Sequence, residues 1–226
     1  MKLLAIDTVT EGCSAALLYN DEIHERYEVT PRGHSQRILP MVEELLAQAD
    51  LKLAQLDAIV MDRGPGSFTG VRIGVSVVQG LAFAAGLPVI SISSLAALAQ
   101  AAFQREACEQ ALAVIDARMG EVYWGYYQFS EGRMRLLGDE AVSPVAAIKQ
   151  QAGDWLAIGS GCQTYRDELS SLAGVRCIES DEEDYPRAAS LLALARFDWI
   201  NKNLLSAEQA QPVYLRDKVA KKPKMK

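Results

Sequence analysis

The feature that most constrains the fold is an internal repeat of one structural plan. The first half opens with LLAIDTVTEGCSAALL and the second with LAVIDARMGEVYWGYY, so that Asp7 and Asp116 fall at matching positions. After each opening, runs with the two-residue period of a strand alternate with runs of helical period. The hydrophobic pattern therefore predicts the order βββ-α-β-α-β-α twice, in residues 1–106 and again in residues 107–210.

The individual elements follow from these periods. In the first half, strands are expected at 3–8, 14–19, 23–29, 56–61 and 88–93, and helices around 38–49, 71–85 and 94–103. In the second half, strands are expected at 112–117, 122–129, 133–142, 155–161 and 175–180, and helices after Pro144, near 164–173 and from Arg187. Pro40 predicts that the first helix begins late or is kinked.

Each copy of this plan makes a mixed five-stranded sheet with helices on its faces. Two copies in tandem predict an α/β protein with the duplicated RNase H-like architecture of the actin, sugar kinase and Hsp70 superfamily. In that superfamily ATP lies in the cleft between the halves, held by turns after the first strand of each half. The corresponding cofactor candidates are Asp7, Thr8 and Asp116. Asp7 could equally cap the turn that follows it, because short polar side chains stabilise such turns.

A glycine-rich loop, DRGPGSFTGVRIG, links the fourth predicted strand to the second predicted helix. Free backbone N–H groups at a helix start attract anions, so such a loop can bind phosphate. The two common phosphate motifs do not fit, since Gly70 is not followed by Lys and the glycine spacing is too wide for G-x-G-x-x-G. The structural alternative is that Ser67 or Thr69 caps the helix, while Gly70 and Gly74 allow another backbone to approach closely.

Composition and charge describe a folded, acidic chain with a basic end. Half of the 226 residues are hydrophobic, which is enough for a core, and the formal net charge is −6. Residues 216–226 hold six Lys or Arg and one Asp, which leaves a charge of about −11 for the rest. The C-terminal tail, predicted at 211–226, is either a solvated chain end or a basic arm for RNA or an acidic partner.

The cysteines and the apolar runs bear on the cellular compartment. The four cysteines are far apart and form no C-x-x-C motif, which predicts buried thiols in a reducing compartment rather than a zinc site. Residues 73–104 carry no charge and are long enough to cross a bilayer. Gly86 and Pro88 break this stretch, which favours a helix, a strand and a buried helix over a membrane span. The opening MKLLAID is interpreted as a first strand, not a signal peptide.

Four segments together strongly resemble the TsaB (YeaZ) family: HSQRILP, DRGPGSFTGVRIG, IDARMGEVYW and QPVYLR. The match runs in order from about residue 3 to Arg216. One departure is Asp62, where the loop of this family more often begins with glycine. The resemblance implies a bacterial, cytoplasmic protein that takes part in making N6-threonylcarbamoyladenosine at position 37 of tRNAs that read codons beginning with A.

The resemblance also implies partners and a non-catalytic role. TsaB-like proteins have no known transferase activity; they pair with TsaD, the homologous subunit that transfers the threonylcarbamoyl group, and the ATPase TsaE joins them. The complex as a whole acts on tRNA, and whether ATP or ADP binds at the joint surface of the subunits is left open. TsaD relatives bind a metal through two histidines four residues apart. Here Ile38 stands four residues after His34, so neither a metal site nor a catalytic residue is expected.

The first two long helices provide the predicted partner surface. Their apolar residues recur at helical spacing, which indicates either core packing or a helix bundle between related subunits. The resemblance favours the bundle, with a homodimer through the same helices when TsaD is absent. The predicted interface residues are His34, Arg37, Ile38, Met41, Val42, Leu45, Gly70, Arg72, Gly74 and Val77. Gly74→Arg is expected to block pairing with TsaD and to leave the fold intact.

Two enzymatic functions are the alternatives to this interpretation. An independent ATPase or kinase of the same fold would work through Asp7 and Asp116 in the cleft. A peptidase that cleaves TsaD would need a partner for His34. The missing phosphate motifs argue against the first, and the unpaired histidine makes the second the weaker of the two.

Overall fold

Two five-stranded sheets, one from each half of the chain, form the frame of the molecule. The computed structural model describes residues 1–180 and 184–216. The first sheet has the strand order β3-β2-β1-β4-β5, and the second has the equivalent order β8-β7-β6-β9-β10. In both sheets the first three strands form an antiparallel meander and the last two pair in parallel. The predicted α/β fold with a duplicated RNase H-like plan is therefore confirmed.

The strands and helices have the following bounds. The first sheet contains β1 (Leu3–Asp7), β2 (Gly12–Tyr19), β3 (Glu22–Val29), β4 (Ala58–Asp62) and β5 (Val89–Ile92). The second contains β6 (Gln110–Asp116), β7 (Val122–Ser130), β8 (Arg133–Ser143), β9 (Trp155–Ile158) and β10 (Val175–Cys177). The helices are α1 (His34–Gln48), α2 (Phe68–Ala85), α3 (Ser94–Glu106), α4 (Gly161–Thr164), α5 (Arg166–Ser170) and α6 (Ala188–Ile200).

Strand β1 shows why these sequences form buried central strands. It lies between β2 and β4, and helices cover both of its faces, so every residue of LLAID is buried. Leu4 and Ile6 point to the core under α1 and α2, whereas Leu3 and Ala5 point to the core under α6. The two-residue alternation thus supplies two different hydrophobic cores from one strand.

The helices form three layers around the two sheets. Helices α1 and α2 cover the outer face of the first sheet. Helices α3 and α6 pack against each other and lie between the sheets, where α3 contacts β6 and β7. The second sheet is covered on its other face by α4 and α5. The uncharged stretch 73–104 is explained by this arrangement, because it builds part of α2, β5 and the buried α3.

Helix α2 satisfies the length and hydropathy expected of a membrane span, as the sequence of residues 73–104 indicated. In the described part of the chain it is the one helix that does so. Its side chains Val71, Val75, Val78 and Ala82 belong to the core beneath the first sheet. Only 33% of its residues are buried, however. Helix α2 is therefore a packed helix with a broad side that residues 1–180 and 184–216 leave uncovered.

The halves are joined through a buried carboxylate. Glu140 of β8 accepts hydrogen bonds from the hydroxyls of Ser93 and Tyr127, the latter at 2.5 Å, and pairs with Arg63 at 3.2 Å. Arg63 and Ser93 follow strands of the first sheet, whereas Tyr127 and Glu140 belong to the second. Because all these groups are partnered, the interface can bury a charge.

Several element predictions for the second half were wrong in length or type. The segment after Pro144 forms one 3-10 turn, Val145–Ala147, instead of an α-helix. Its buried residues Val145 and Ile148 are three positions apart, which suits 3-10 geometry. The helix predicted near 164–173 is split into the short helices α4 and α5, and the strands predicted at 155–161 and 175–180 end earlier. Helix α1 begins at His34 with Pro40 inside it, so it does not begin late.

Helix α6 also corrects the predicted second subdomain, 107–210. The chain changes sheets between α3 and β6, but α6 packs on β1, β2, β4 and β5 of the first sheet. Ala207 and Ala210 likewise lie in the core beneath α1 and α2. Leu191, Leu192 and Ala195 explain this return, because they cover the inner face of the first sheet. Helix α6 and residues 207–210 therefore complete the first subdomain.

Candidate functional site

Three aspartates stand at the carboxyl ends of central strands and hold the turns that follow. In each case the Oδ1 atom accepts a hydrogen bond from the backbone N–H two residues later. The bonds join Asp7 to Val9 at 2.9 Å, Asp62 to Gly64 at 2.8 Å and Asp116 to Arg118 at 2.8 Å. The turn role considered for Asp7 is thus present in the structure. Its counterpart in the repeat, Asp116, makes the same bond.

Asp7 and Asp62 also form a buried carboxyl pair. They follow Ile6 and Met61, which are register partners on adjacent parallel strands, so both side chains lie side by side. Among the described residues, neither Oδ2 atom has a hydrogen-bond partner. Burial raises the pKa of both groups, that of Asp62 to about 7, and the Asp62 charge raises the pKa of Asp7 further. We therefore expect the pair to retain a proton near neutral pH.

The glycine-rich loop packs against the turn after β1. The Thr8 hydroxyl donates to the Gly70 carbonyl at 2.8 Å. A Cβ atom at Gly70 would lie 2.2 Å from the Thr8 carbonyl oxygen, and one at Gly66 would lie 2.3 Å from that of Val9. Ser67 caps α2 by accepting the Gly70 N–H at 3.3 Å, which was one of the two predicted caps. These glycines therefore serve a backbone-to-backbone contact.

A cleft of about 380 Å³ lies between the two halves. Its walls combine aromatic rings with charged groups; they include Phe68, Tyr123, Tyr185, Tyr214, Arg118 and Arg216. Of the three cofactor candidates, Asp116 lines this cleft, whereas Asp7 and Thr8 are fully buried and do not. The sequence could not separate them, because the repeat gives Asp7 and Asp116 equivalent positions.

Charges at the mouth of the cleft are mutually paired. Arg118 contacts Asp116 at 3.0 Å and Glu11 at 2.9 Å. Arg216 pairs with Glu121 at 2.5 Å and donates to the Ala117 carbonyl at 2.9 Å. A ligand of this cleft would accordingly meet polar groups and aromatic faces with little net charge.

The chain segment 211–216 bridges the two sides of the cleft. The Val213 N–H donates to the carbonyl of Arg63, in the first subdomain, at 2.9 Å. Three residues later, Arg216 contacts the turn between β6 and β7. The rest of the predicted basic tail, 217–226, lies outside the described residues.

The predicted interface has to be corrected at its buried positions. Seven of its ten residues are buried in the folded chain: His34, Ile38, Met41, Val42, Leu45, Gly70 and Gly74. The helical stripe of α1 packs under its own sheet, which was the alternative interpretation of that pattern. A Cβ atom at Gly74 would meet the Thr8 hydroxyl oxygen at 2.8 Å. Gly74→Arg would therefore disturb the core, and it is not a clean test of a surface.

The other three predicted interface residues reach the surface or its edge. Arg37 is exposed and contacts Glu28 at 2.7 Å. The guanidinium of Arg72 lies 3.6 Å above the ring of Phe68 and donates to the Tyr214 hydroxyl at 2.9 Å. Val77 is half-buried, so it remains a predicted interface residue together with the two arginines.

Helix α2 presents an exposed, uncharged face that the predicted set missed. This α2 face consists of Ser76, Gly80, Phe83 and Ala84, all on one side of the helix. The Phe83 side chain is 74% exposed, and a Cβ atom at Gly80 would meet nothing within 4 Å. The sequence contained the signal, because Arg72 is the one charged residue within α2. Helical spacing alone did not show which side was turned outward.

His34 has a structural partner. It is the first residue of α1, and its Nε2–H donates to the carbonyl of Thr10 at 2.8 Å. This bond fixes the start of α1 against the turn after β1. Among residues 1–180 and 184–216, no group of three or more His, Cys, Asp or Glu side chains is placed to hold a metal ion.

Comparison with known proteins decides the family. The chain is 40% identical to the tRNA threonylcarbamoyladenosine biosynthesis protein TsaB of Escherichia coli, over 97% of this chain and 96% of the relative. It is 41% identical to the TsaB protein of Haemophilus influenzae, over 97% and 95% of the two chains. The chain belongs to the TsaB family. The resemblance of its four motifs is thereby confirmed.

A family model and a solved structure agree with the TsaB assignment. The model described as "TsaD: tRNA N6-adenosine threonylcarbamoyltransferase" matches residues 14–224. YeaZ from Pseudomonas aeruginosa superimposes with a TM-score of 0.87 at 49% identity, covering 95% of this chain and 99% of that one. TsaB proteins are named for tRNA threonylcarbamoyladenosine biosynthesis, and this chain belongs to that group of tRNA-modification proteins.

Proposed function

We propose that this TsaB-family chain is a non-catalytic, cytoplasmic subunit that activates the threonylcarbamoyl transferase TsaD. In the complex, with TsaE, it supports formation of N6-threonylcarbamoyladenosine at position 37 of tRNAs that read codons beginning with A. The chain contributes a docking surface and leaves the chemical step to TsaD. The match to a TsaD family model supports this pairing, since related subunits commonly join through equivalent surfaces.

The α2 face is the observation that carries the proposal. A helix of 18 residues with one charge, of which a third is buried, leaves apolar surface in water unless a partner covers it. Phe83 supplies an aromatic anchor at one end of this face, and Gly80 lets another helix approach closely. Helix α1 lies beside α2 and exposes Leu39, so the partner can contact both helices.

The same surface accounts for the other partners that we propose. Without TsaD, two copies of the chain cover their α2 faces by forming a homodimer. ATP or ADP binds at the joint surface of the heterodimer instead of as an intrinsic cofactor, because neither half carries a common phosphate motif. The tRNA is contacted through the assembled complex.

The decisive experiment is threonylcarbamoyl transfer to unmodified tRNA in vitro. Purified TsaD, TsaE, ATP and the threonylcarbamoyl-adenylate donor are mixed with and without this chain. We expect modified tRNA only when the chain is present. Equal product without it would overturn the activating role.

Surface variants test whether the α2 face is the docking site. Gly80→Arg and Phe83→Glu place charges on that face without touching the core, so we expect co-purification with TsaD to fall at least tenfold. Ile200→Glu is the matched control, because Ile200 is 71% exposed at the end of α6, on the other side of the first sheet. Wild-type recovery of TsaD by both α2 variants would contradict this assignment.

An independent ATPase is the second candidate, and the cleft beside Asp116 is the observation that favours it. ATP turnover by the chain alone, abolished by Asp116→Asn, would establish it. A peptidase is disfavoured because His34 is buried at the start of α1, where its Nε2–H holds the Thr10 carbonyl in a structural bond.

A further inference from the structure

The motif QPVYLR forms residues 211–216, which we call the strap. The strap begins after Ala210, whose carbonyl accepts a hydrogen bond from the Gln79 side chain of α2 at 2.8 Å. It bridges the cleft and reaches the turn between β6 and β7. Four of its residues line the cleft: Val213, Tyr214, Leu215 and Arg216. The strap is therefore both a wall of the cleft and a connection between the two subdomains.

The first anchor of the strap is in the first subdomain. The Val213 N–H donates to the carbonyl of Arg63, which follows β4, at 2.9 Å. The Tyr214 hydroxyl accepts a hydrogen bond from Arg72 Nε at 2.9 Å, and the Tyr214 ring lies 5.8 Å from the ring of Phe68. The guanidinium of Arg72 stacks on Phe68 as well, 3.6 Å from the ring centre. The strap is thus bonded to the first turns of α2.

This first anchor lies on the proposed docking surface. Phe68 and Arg72 precede Ser76 and Gly80 at intervals of four residues, so they extend the α2 face toward the start of the helix. Phe68 is 53% exposed, and Tyr214 is 44% exposed. A partner that covers the α2 face along its whole length therefore also contacts the strap.

The second anchor of the strap holds a strained turn. Arg216 donates to the Ala117 carbonyl at 2.9 Å and pairs with Glu121 at 2.5 Å. Between these two partners, Arg118 and Met119 both have a φ of 60°, in the left-handed region that residues other than glycine rarely adopt. Such a backbone persists only where its surroundings hold it in place. Arg216 provides part of that support from outside the turn.

A second ion pair crosses the cleft, but it is the weaker tie. Glu11 and Arg118 are joined at 2.9 Å, and their side chains are 37% and 72% exposed. Exposed pairs contribute little to stability, because water screens them. The Arg216 side chain is 16% exposed and bonds to a carbonyl and a carboxylate together. The strap is therefore the stronger of these two connections across the cleft.

We propose that the strap is a clasp that couples partner docking on α2 to the cleft, an inference that rests on the docking role proposed for the α2 face. In the free chain the strap exchanges between a closed and an open position. TsaD packed on Phe68, Arg72 and Tyr214 favours the closed position, because the contacts to Tyr214 exist only while the strap is in place. The closed strap keeps Arg216 on the turn, so docking on one subdomain fixes the cleft wall of the other.

Three backbone amides report the state of the clasp in hydrogen exchange followed by NMR. The Val213 amide is protected by the Arg63 carbonyl only while the strap is closed. The amides of Ala117 and Glu121 report the turn, because they donate to the carbonyls of Glu121 and Arg118 at 3.0 and 3.2 Å. Local opening of the strap or the turn raises the exchange rate of these amides.

Exchange in the free chain tests the clasp itself. In Arg216→Ala the charged hydrogen bond to Ala117 and the ion pair with Glu121 are lost, so we expect all three reporter amides to exchange about tenfold faster than in the wild type. Arg196→Ala is the matched control, because Arg196 donates to the Asp21 carbonyl at 3.3 Å, away from the cleft. Exchange at the wild-type rate in Arg216→Ala would overturn the clasp.

Saturating TsaD tests the coupling. With the wild-type chain we expect TsaD to slow exchange of the Ala117 and Glu121 amides about tenfold. With Arg216→Ala, TsaD still binds the α2 face, but this protection of the turn should be lost. Equal protection in both chains would mean that TsaD covers the turn directly, and it would overturn the coupling. Failure of the wild-type chain to bind TsaD would refute the docking role and the coupling together, whereas exchange in the free chain judges the clasp separately.

Discussion

At the scale of single residues, Asp7 and Asp62 show how neighbours change the chemistry of a side chain. Each aspartate stabilises a turn with one oxygen, and that role could be predicted from its place after an apolar run. Their pairing could not be predicted, because it depends on β1 and β4 being adjacent in the sheet although 50 residues separate the two strands in the sequence. Asp62 looked like a neutral departure from the family loop, yet it is one half of a buried carboxyl pair.

The pair gives the protein a specific pH dependence. Burial raises the pKa of Asp62 from 3.8 to about 7, although hydrogen bonds from Ser94 and Gly64 oppose the shift. The folded chain therefore holds this proton over a range in which the unfolded chain has released it. The contribution of the Asp62 carboxyl group to stability is therefore fully present below its unfolded pKa and is lost as the pH rises through its folded pKa.

Asp62→Asn should flatten this dependence. Asparagine keeps the oxygen that accepts from Ser94 and Gly64 but has no proton to release. We expect the decrease in the free energy of unfolding between pH 5 and pH 8 to be smaller than in the wild type by about 2–3 kcal/mol. Urea unfolding at both pH values measures it. The exposed Asp50→Asn is the control, and an unchanged slope in Asp62→Asn would show that the pair does not share a proton.

At the scale of elements, periodicity predicted the type of most strands and of the long helices, but not what each helix faces. In α1 the stripe of Ile38, Met41, Val42 and Leu45 was assigned to a partner, although it packs under its own sheet. A period of 3.6 residues shows that one side of a helix is buried, and it carries no information about the burying surface. The short helices of the second half were misjudged because one or two turns are too few to establish a period.

The two glycines of α2 provide a matched test of this packing. A Cβ atom at Gly70 would collide with the Thr8 carbonyl, whereas one at Gly80 would meet open space. Gly70→Ala should therefore lower the free energy of unfolding by about 2–3 kcal/mol, because backbone must move. Gly80→Ala should raise it by about 0.5–1 kcal/mol through helix propensity. Denaturant unfolding followed by circular dichroism gives both values, and equal effects would refute the close approach.

At the scale of the whole molecule, Glu140 connects the halves. Its carboxylate is bonded to Ser93, Tyr127 and Arg63, and its side chain is almost completely buried. The duplication could be predicted from the two matching openings, and so could the mixed five-stranded sheet of each half. The contact between the sheets could not be predicted, because nothing in the sequence around a single glutamate in β8 shows that its partners lie in the other half.

Glu140→Ala should weaken this connection. Arg63 would lose its partner at a partly buried site, so we expect a loss of about 3 kcal/mol in the free energy of unfolding. Glu131→Ala is the control, because Glu131 forms an exposed ion pair with Arg135 and should cost less than about 1 kcal/mol. Thermal or denaturant unfolding compares the two, and similar losses would mean that Glu140 contributes no more than a surface charge.

The return of α6 to the first sheet affects how the molecule is made. During synthesis the N-terminal half leaves the ribosome first, and nascent domains generally begin to fold in that order. Leu3, Ala5 and Val60 then remain uncovered on the inner face of the first sheet until α6 emerges. The half that is translated first is therefore the last to be completed, and the nascent chain depends on its own C-terminal region to protect its oldest segment from aggregation.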